Sequence, residues 1–125
     1  LLDTHTLLWF ATDSPRLAST AGELIGNAAN EALVSIASLW EIAITITTGK
    51  LIVGQLLGQF IAQQLIANRF GLLPISIAHA LPIAELPPHH RDPFDHLLIA
   101  QALAERLPLV SADALFDAYP ITRLC

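Results

Sequence analysis

The sequence predicts an α/β fold in which a mostly parallel sheet is covered by helices on both faces. Short apolar runs of strand length alternate with helical patterns through most of the chain, which implies parallel strands joined by helical crossovers. One helical pattern, from Leu97 to Leu107, is apolar almost all round, as a central helix must be. At 125 residues the chain is expected to form one domain spanning residues 1–125, long enough to bury a single core without disulfides or structural metal.

The elements follow in order. Leu1-Leu2 reads as the end of a buried strand, Asp3 follows it, and Thr4 to Phe10 feeds a helix that stops at the turn Asp13-Ser14-Pro15. A second helix is expected from about Ser19 to Ala29, and Glu31 to Ser35 is a short run of strand length. In the third helix Ile36, Leu39, Trp40, Ala43, Ile44 and Thr47 recur at helical spacing, and that stripe is the expected core face until Gly49-Lys50 ends the helix. Leu51 to Asn68 lacks charge, but Gln55, Gln59 and Gln63 form a polar stripe, so the segment reads as an amphipathic helix and not a membrane span.

Leu72 to Ile75 then reads as a strand, Ile77 to Glu85 as a helix and Leu86 to Arg91 as a loop. Asp92 fits an N-cap, Pro93 the first helical position and Asp95 the third, opening the central helix. Leu109 to Ser111 is the next strand, Asp113 to Ala118 a short helix, and Ile121 to Leu124 a last strand.

Composition narrows the setting. Hydrophobic residues make up 54% and charged residues 14%, where roughly a quarter charged is usual for soluble domains, so part of the apolar surface is expected to meet a partner. The one cysteine, Cys125, can form no internal disulfide, which points to a reducing, cytoplasmic compartment. No basic leader or cleavage site marks export, and the lack of any methionine leads to the expectation that the natural start lies upstream of Leu1. A net charge of −5 argues against broad attraction to nucleic acid, unless bound cations or a partner chain reverse the field locally.

Asp3, Glu41 and Asp113 fall just past a strand or in the helix that follows one, and Asp95 opens the central helix before the fourth strand. Ligands of open parallel sheets bind outside the strand carboxyl ends, so these four acids could converge in one crevice. Four carboxylates there could not all ionise at neutral pH without cations among them, and oxygen donors suit Mg²⁺ or Mn²⁺ better than Zn²⁺. Taken singly, each acid could equally be a helix cap: Ser38 with Glu41 and Asp92 with Asp95 both match capping-box spacing.

Four segments carry a resemblance. They are Leu2-Asp3-Thr4-His5-Thr6-Leu7-Leu8-Trp9, Ser35 to Ala43 around Trp40-Glu41, Arg91-Asp92-Pro93-Phe94-Asp95-His96 running on to Ala102, and Leu109-Val110-Ser111-Ala112-Asp113. In order and spacing they resemble the PIN-domain ribonucleases, particularly the VapC-type toxins of bacterial toxin–antitoxin pairs. The resemblance implies a three-layer α/β/α sandwich and Mg²⁺- or Mn²⁺-dependent endonucleolytic cleavage of RNA. It also implies a small antitoxin that occludes the site, and Asp3, Glu41, Asp95 and Asp113 as active-site acids. Thr4 and Ser111 stand where the family places supporting hydroxyls. The strand residues that normally precede Asp3 are missing from this sequence.

Other residues read more plainly. Asp92 is mainly a cap, Arg91 and Lys50 are the candidate phosphate contacts, and His5 is an exposed or packed histidine beside Asp3. His89, His90 and His96 fit no zinc spacing and are expected to be solvated, while Trp9 and Trp40 are expected in the core. The helices Ile36 to Thr47 and Leu56 to Leu65 are expected to offer an interface for an antitoxin helix or a second subunit, giving a homodimer. The competing functions are a catalytically inactive binding module and a haloacid-dehalogenase-like phosphatase. The phosphatase is disfavoured because position 5 is His and not the second Asp that family needs, and a serine hydrolase because no Gly-x-Ser-x-Gly elbow exists.

Overall fold

The computed structural model describes residues 1–125. The sheet is organised about Leu2, which bridges in parallel to both Val34 and Val110. On one side β1 (Leu33–Ser35) pairs in parallel with β2 (Gly71–Leu73), in the register Leu33 with Gly71. On the other, β3 (Leu109–Val110) pairs in parallel with β4 (Arg123–Leu124). The spatial order is β2, β1, Leu2, β3, β4, so chain order runs outward in both directions from the N-terminal segment. That reversal is a topological switch point, and Asp3 and Ser111 follow directly on the carboxyl ends of Leu2 and β3.

Strand alternation sorts the core into two faces. Leu2, Val34 and Val110 point into one cluster with Leu7 of α1 (Thr4–Ala11), Ala21 and Ile25 of α2 (Ser19–Gly26), Ile42 of α3 (Ile36–Thr47) and Phe70. Their sequence neighbours Leu1 and Leu109 join Leu98, Ile99 and Ala102 of α6 (Pro93–Glu105), with Phe116 and Tyr119, in the other. Helices therefore cover both faces, the α/β/α layering of a PIN-like fold. No helix is long and apolar enough to cross a membrane.

The central helix is as expected: Leu97 to Ala102 are all buried, Asp92 is the N-cap accepting from the Phe94 N–H, and Pro93 opens the first turn. Elsewhere local chemistry trims the expected elements. α2 ends at Gly26, and α4 (Leu57–Asn68) starts after Gln55, which nevertheless donates to Gln63. The helix expected from Ile77 to Glu85 is α5 (Ile77–Ala80) followed by a 3-10 turn, as Pro82 removes a donor from the ladder. Residues Ala114–Ala118 also form a 3-10 turn.

The expected core face of α3 is corrected. Ala37, Ser38 and Ile42 are buried, whereas Trp40 is 57% exposed and Ile44 is exposed. α3 is apolar nearly all round, so periodicity alone admits two stripes. The small side chains at 37 and 38 let the helix approach α1 and α6 closely, and that choice rotates Trp40 outward, edge-on to Phe94 at 4.9 Å.

Candidate metal centre

Each acid is delivered by a different element. Asp3 follows Leu2 at the start of α1, Glu41 lies in the second turn of α3, Asp95 in the first turn of α6, and Asp113 follows β3. The capping explanation fails for three of them. Asp3 occupies the N-cap position of α1, yet its carboxylate makes no capping hydrogen bond. α3 is capped by Ser35, which accepts from the Ala37 N–H, so Ser38 and Glu41 lie inside the helix and form no capping box. α6 is capped by Asp92 alone, leaving Asp95 without that duty. Only Asp113 caps, accepting from the Leu115 N–H at 3.0 Å through one oxygen while its other oxygen stays with the cluster.

Two hydroxyls tie the acids together. Ser111 donates to Asp3 Oδ2 at 2.8 Å and its oxygen accepts from the Asp113 N–H at 3.1 Å, so one buried side chain holds the Asp3 carboxylate and the Asp113 backbone. Thr4 Oγ1 donates to Glu41 Oε1 at 2.6 Å and lies 3.0 Å from Ser38 Oγ.

The electrostatics record the convergence. Burial first, and then the charges of Asp92, Asp3, Glu41 and Asp113, push the Asp95 carboxyl up to about 8. Burial also raises Asp3, against the opposing Ser111 hydrogen bond, and raises Glu41, against the Thr4 bond. No lysine or arginine pairs with any of the four; the one such ion pair, Arg123 with Asp117, lies outside the cluster. Acids gathered with no lysine or arginine paired to them are a donor set that fits a divalent cation. The grouping close enough to share an ion is His90, Asp95 and Asp113, whose ligand atoms all lie within 4.8 Å of one another; Asp3 and Glu41 lie outside it.

His90 corrects the expectation of solvated histidines. It is 5% exposed, stacks on Phe116 and hydrogen-bonds Asp113, while His96 sits on α6 with a buried Nε2 that has no partner. The adjacent Pro87, Pro88 and His89 read as loop and nothing local showed that His90 turns inward; only its place two residues before Asp92 hinted at it. His5 is exposed, and Arg91 is exposed with no hydrogen bond or ion pair. Lys50, by contrast, lines a cleft of about 400 Å³ that opens from Thr4 and Glu41 between α1 and α3. Arg16, which the sequence did not single out, lines it too, with His5 and Trp9.

Comparison with known families matches the PIN domain over residues 1–121. The chain belongs to the PIN-domain family. No curated protein matches it closely enough to add a more specific relative. PIN domains are in general metal-dependent nucleases, and at that level the chain is a nuclease of the divalent-metal class. The α/β/α layering and the acidic crevice of this PIN domain agree with that membership.

Proposed function

We propose that this PIN domain, one unit over residues 1–125, is an endoribonuclease and the toxin of a bacterial toxin–antitoxin pair. In this reading Asp3, Glu41, Asp95 and Asp113 hold Mg²⁺ or Mn²⁺ and cleave RNA phosphodiesters. The observation that carries it is the gathering of acids from four elements, with Asp3 and Asp113 both held by Ser111 and Asp95 beside Asp113, and with no lysine or arginine paired to any of them. A fold tolerates such a cluster when function requires it.

A bound Mg²⁺ or Mn²⁺ would supply Lewis acidity toward the scissile phosphate and acidify the attacking water. The protein's own part is placement. Ser111 fixes Asp3 and Asp113, Thr4 fixes Glu41, and Asp95, which accepts no hydrogen bond, is the acid free to orient the water and, once a bound cation has displaced the proton it holds, to accept the water's. Arg16 and Lys50 would neutralise phosphates of a strand lying in the cleft, and Trp9 at its wall offers a ring to an unstacked base. Two of six basic residues in an acidic chain thus face the path to Glu41.

The antitoxin belongs to the same reading. Trp40 and Ile44 on α3, with Ile52, Leu56 and Ile66 around α4, leave apolar surface exposed near the cleft. That surface suits an apolar helix of an antitoxin or the second subunit of a homodimer. The setting is the cytoplasm, where RNA and antitoxin are both present. Regulated expression in a bacterial host tests the proposal: the wild type should arrest growth and leave new RNA ends at defined sites, and Asp95→Asn should do neither. Growth unaffected by the soluble wild-type chain, with no new RNA ends, would remove the toxin reading.

A further inference from the structure

We propose that His90 is a metal ligand of this centre, acting with Asp95 and Asp113, and that its nitrogen shifts the preference from Mg²⁺ to Mn²⁺; the inference rests on the metal-nuclease reading above. Tyr119 anchors the His90 segment. Its hydroxyl donates to the Pro87 carbonyl at 3.1 Å and accepts the His90 backbone N–H at 3.0 Å. His90 Nδ1 lies 3.4 Å from the same oxygen, so this edge of the ring is turned toward Tyr119 and Nε2 toward the carboxylates.

Nε2 is hydrogen-bonded to Asp113 Oδ2 at 3.1 Å, and one ligand atom each of His90, Asp95 and Asp113 lies within 4.8 Å of the other two. A cation entering there would take the place of that hydrogen bond, with Nε2 and the two carboxylates as donors. Phe116 at 4.3 Å and Tyr119 at 5.5 Å between centroids pack on the ring and hold its orientation. A buried histidine whose far nitrogen is held by a second group while its near nitrogen aims at carboxylates has the arrangement of a ligating histidine. Mg²⁺ favours oxygen donors, whereas an imidazole nitrogen suits transition ions, so the mixed set favours Mn²⁺.

Pulsed electron paramagnetic resonance of the Mn²⁺-loaded protein reads this directly. The expected result is ¹⁴N coupling from one imidazole, retained in His5→Gln and His89→Gln and lost in His90→Gln. The Mn²⁺-over-Mg²⁺ affinity ratio should fall by about 10-fold or more in His90→Gln. If that variant does not fold, coupling retained in His5→Gln, His89→Gln and His96→Leu assigns His90 by elimination, because His79 is engaged by Glu105 at 2.8 Å. Mn²⁺ bound without ¹⁴N coupling would overturn the inference, making His90 a protonated hydrogen-bond partner of Asp113, and would leave the metal-nuclease reading standing. No Mn²⁺ binding at all would overturn both.

Discussion

Replacing Asp95 by Asn should strengthen the metal-free fold while abolishing nuclease activity. The Asp95 carboxyl moves from the ordinary 3.8 in the unfolded chain to about 8 in the folded one. Below about 4 both states hold the proton and the group costs nothing. Between there and about 8 only the folded state holds it, so unfolding releases a proton and stability falls as pH rises. Above about 8 both states are ionised and the loss is complete. At ~1.4 kcal/mol per pKa unit the full interval is roughly 5–6 kcal/mol, and because Asp95 is only half-buried, solvent screening reduces this to about 2–3 kcal/mol. For a domain of this size that is a rise in Tm of about 8–12 °C for the Asn variant at pH 8. Asp3 and Glu41, also raised, steepen the same slope.

Thermal and urea unfolding in EDTA from pH 5.5 to 8.5 measures it. Wild type should lose stability with rising pH, Asp95→Asn should lose much less, and the gap between them should narrow steadily toward pH 5.5. Mn²⁺ at about 1,000 times its Kd should reverse the order at pH 8, since it adds about 4.1 kcal/mol to the chain that binds it. A metal-free wild type as stable at pH 8 as at pH 5.5, with Asp95→Asn neutral or destabilising, would refute the reasoning.

Three further outcomes follow from the geometry. Thr4→Val removes the donor at 2.6 Å from Glu41, and should weaken metal binding about 10–100-fold by calorimetry and raise the Glu41 pKa further in a carboxylate-resolved NMR titration. His96→Leu removes a buried nitrogen without a partner and should raise stability by about 1 kcal/mol in urea unfolding, whereas a drop of similar size would mean that His96 has an unrecognised partner. Arg16→Gln with Lys50→Gln should lower the salt slope of single-stranded RNA binding by about 1.4, with Arg69→Gln and Arg106→Gln, away from the cleft, as the charge-matched control.

The sequence made legible whatever is encoded locally. The Asp92-Pro93 start of α6 and its all-round apolar run are properties of adjacent residues, and they place Asp95 before any tertiary contact is known. Asp3, Asp95 and Asp113 could be gathered because each stands next to a strand end or a helix start, and Glu41 because it lies in a helix that follows a strand directly. What depended on packing was hidden. α3 offers two apolar faces, and only the small residues Ala37 and Ser38 against its neighbours decide that Trp40 turns outward. His90 reads as loop until Tyr119, 29 residues away, is seen to hold it. Ser111 looked like a supporting hydroxyl, but its bridging of Asp3 to Asp113 follows from the parallel placement of Leu2 beside β3.

The most direct test of the central claim is cleavage of a panel of single-stranded and structured RNAs by purified protein, stripped of any partner, with Mg²⁺ or Mn²⁺, with EDTA, and with Asp3→Asn and Asp95→Asn alongside. The account predicts internal cleavage that requires metal and disappears in EDTA and in both variants. Cleavage that persists in EDTA or in the variants would contradict it, as would a folded, metal-loaded wild type that cuts none of the RNAs.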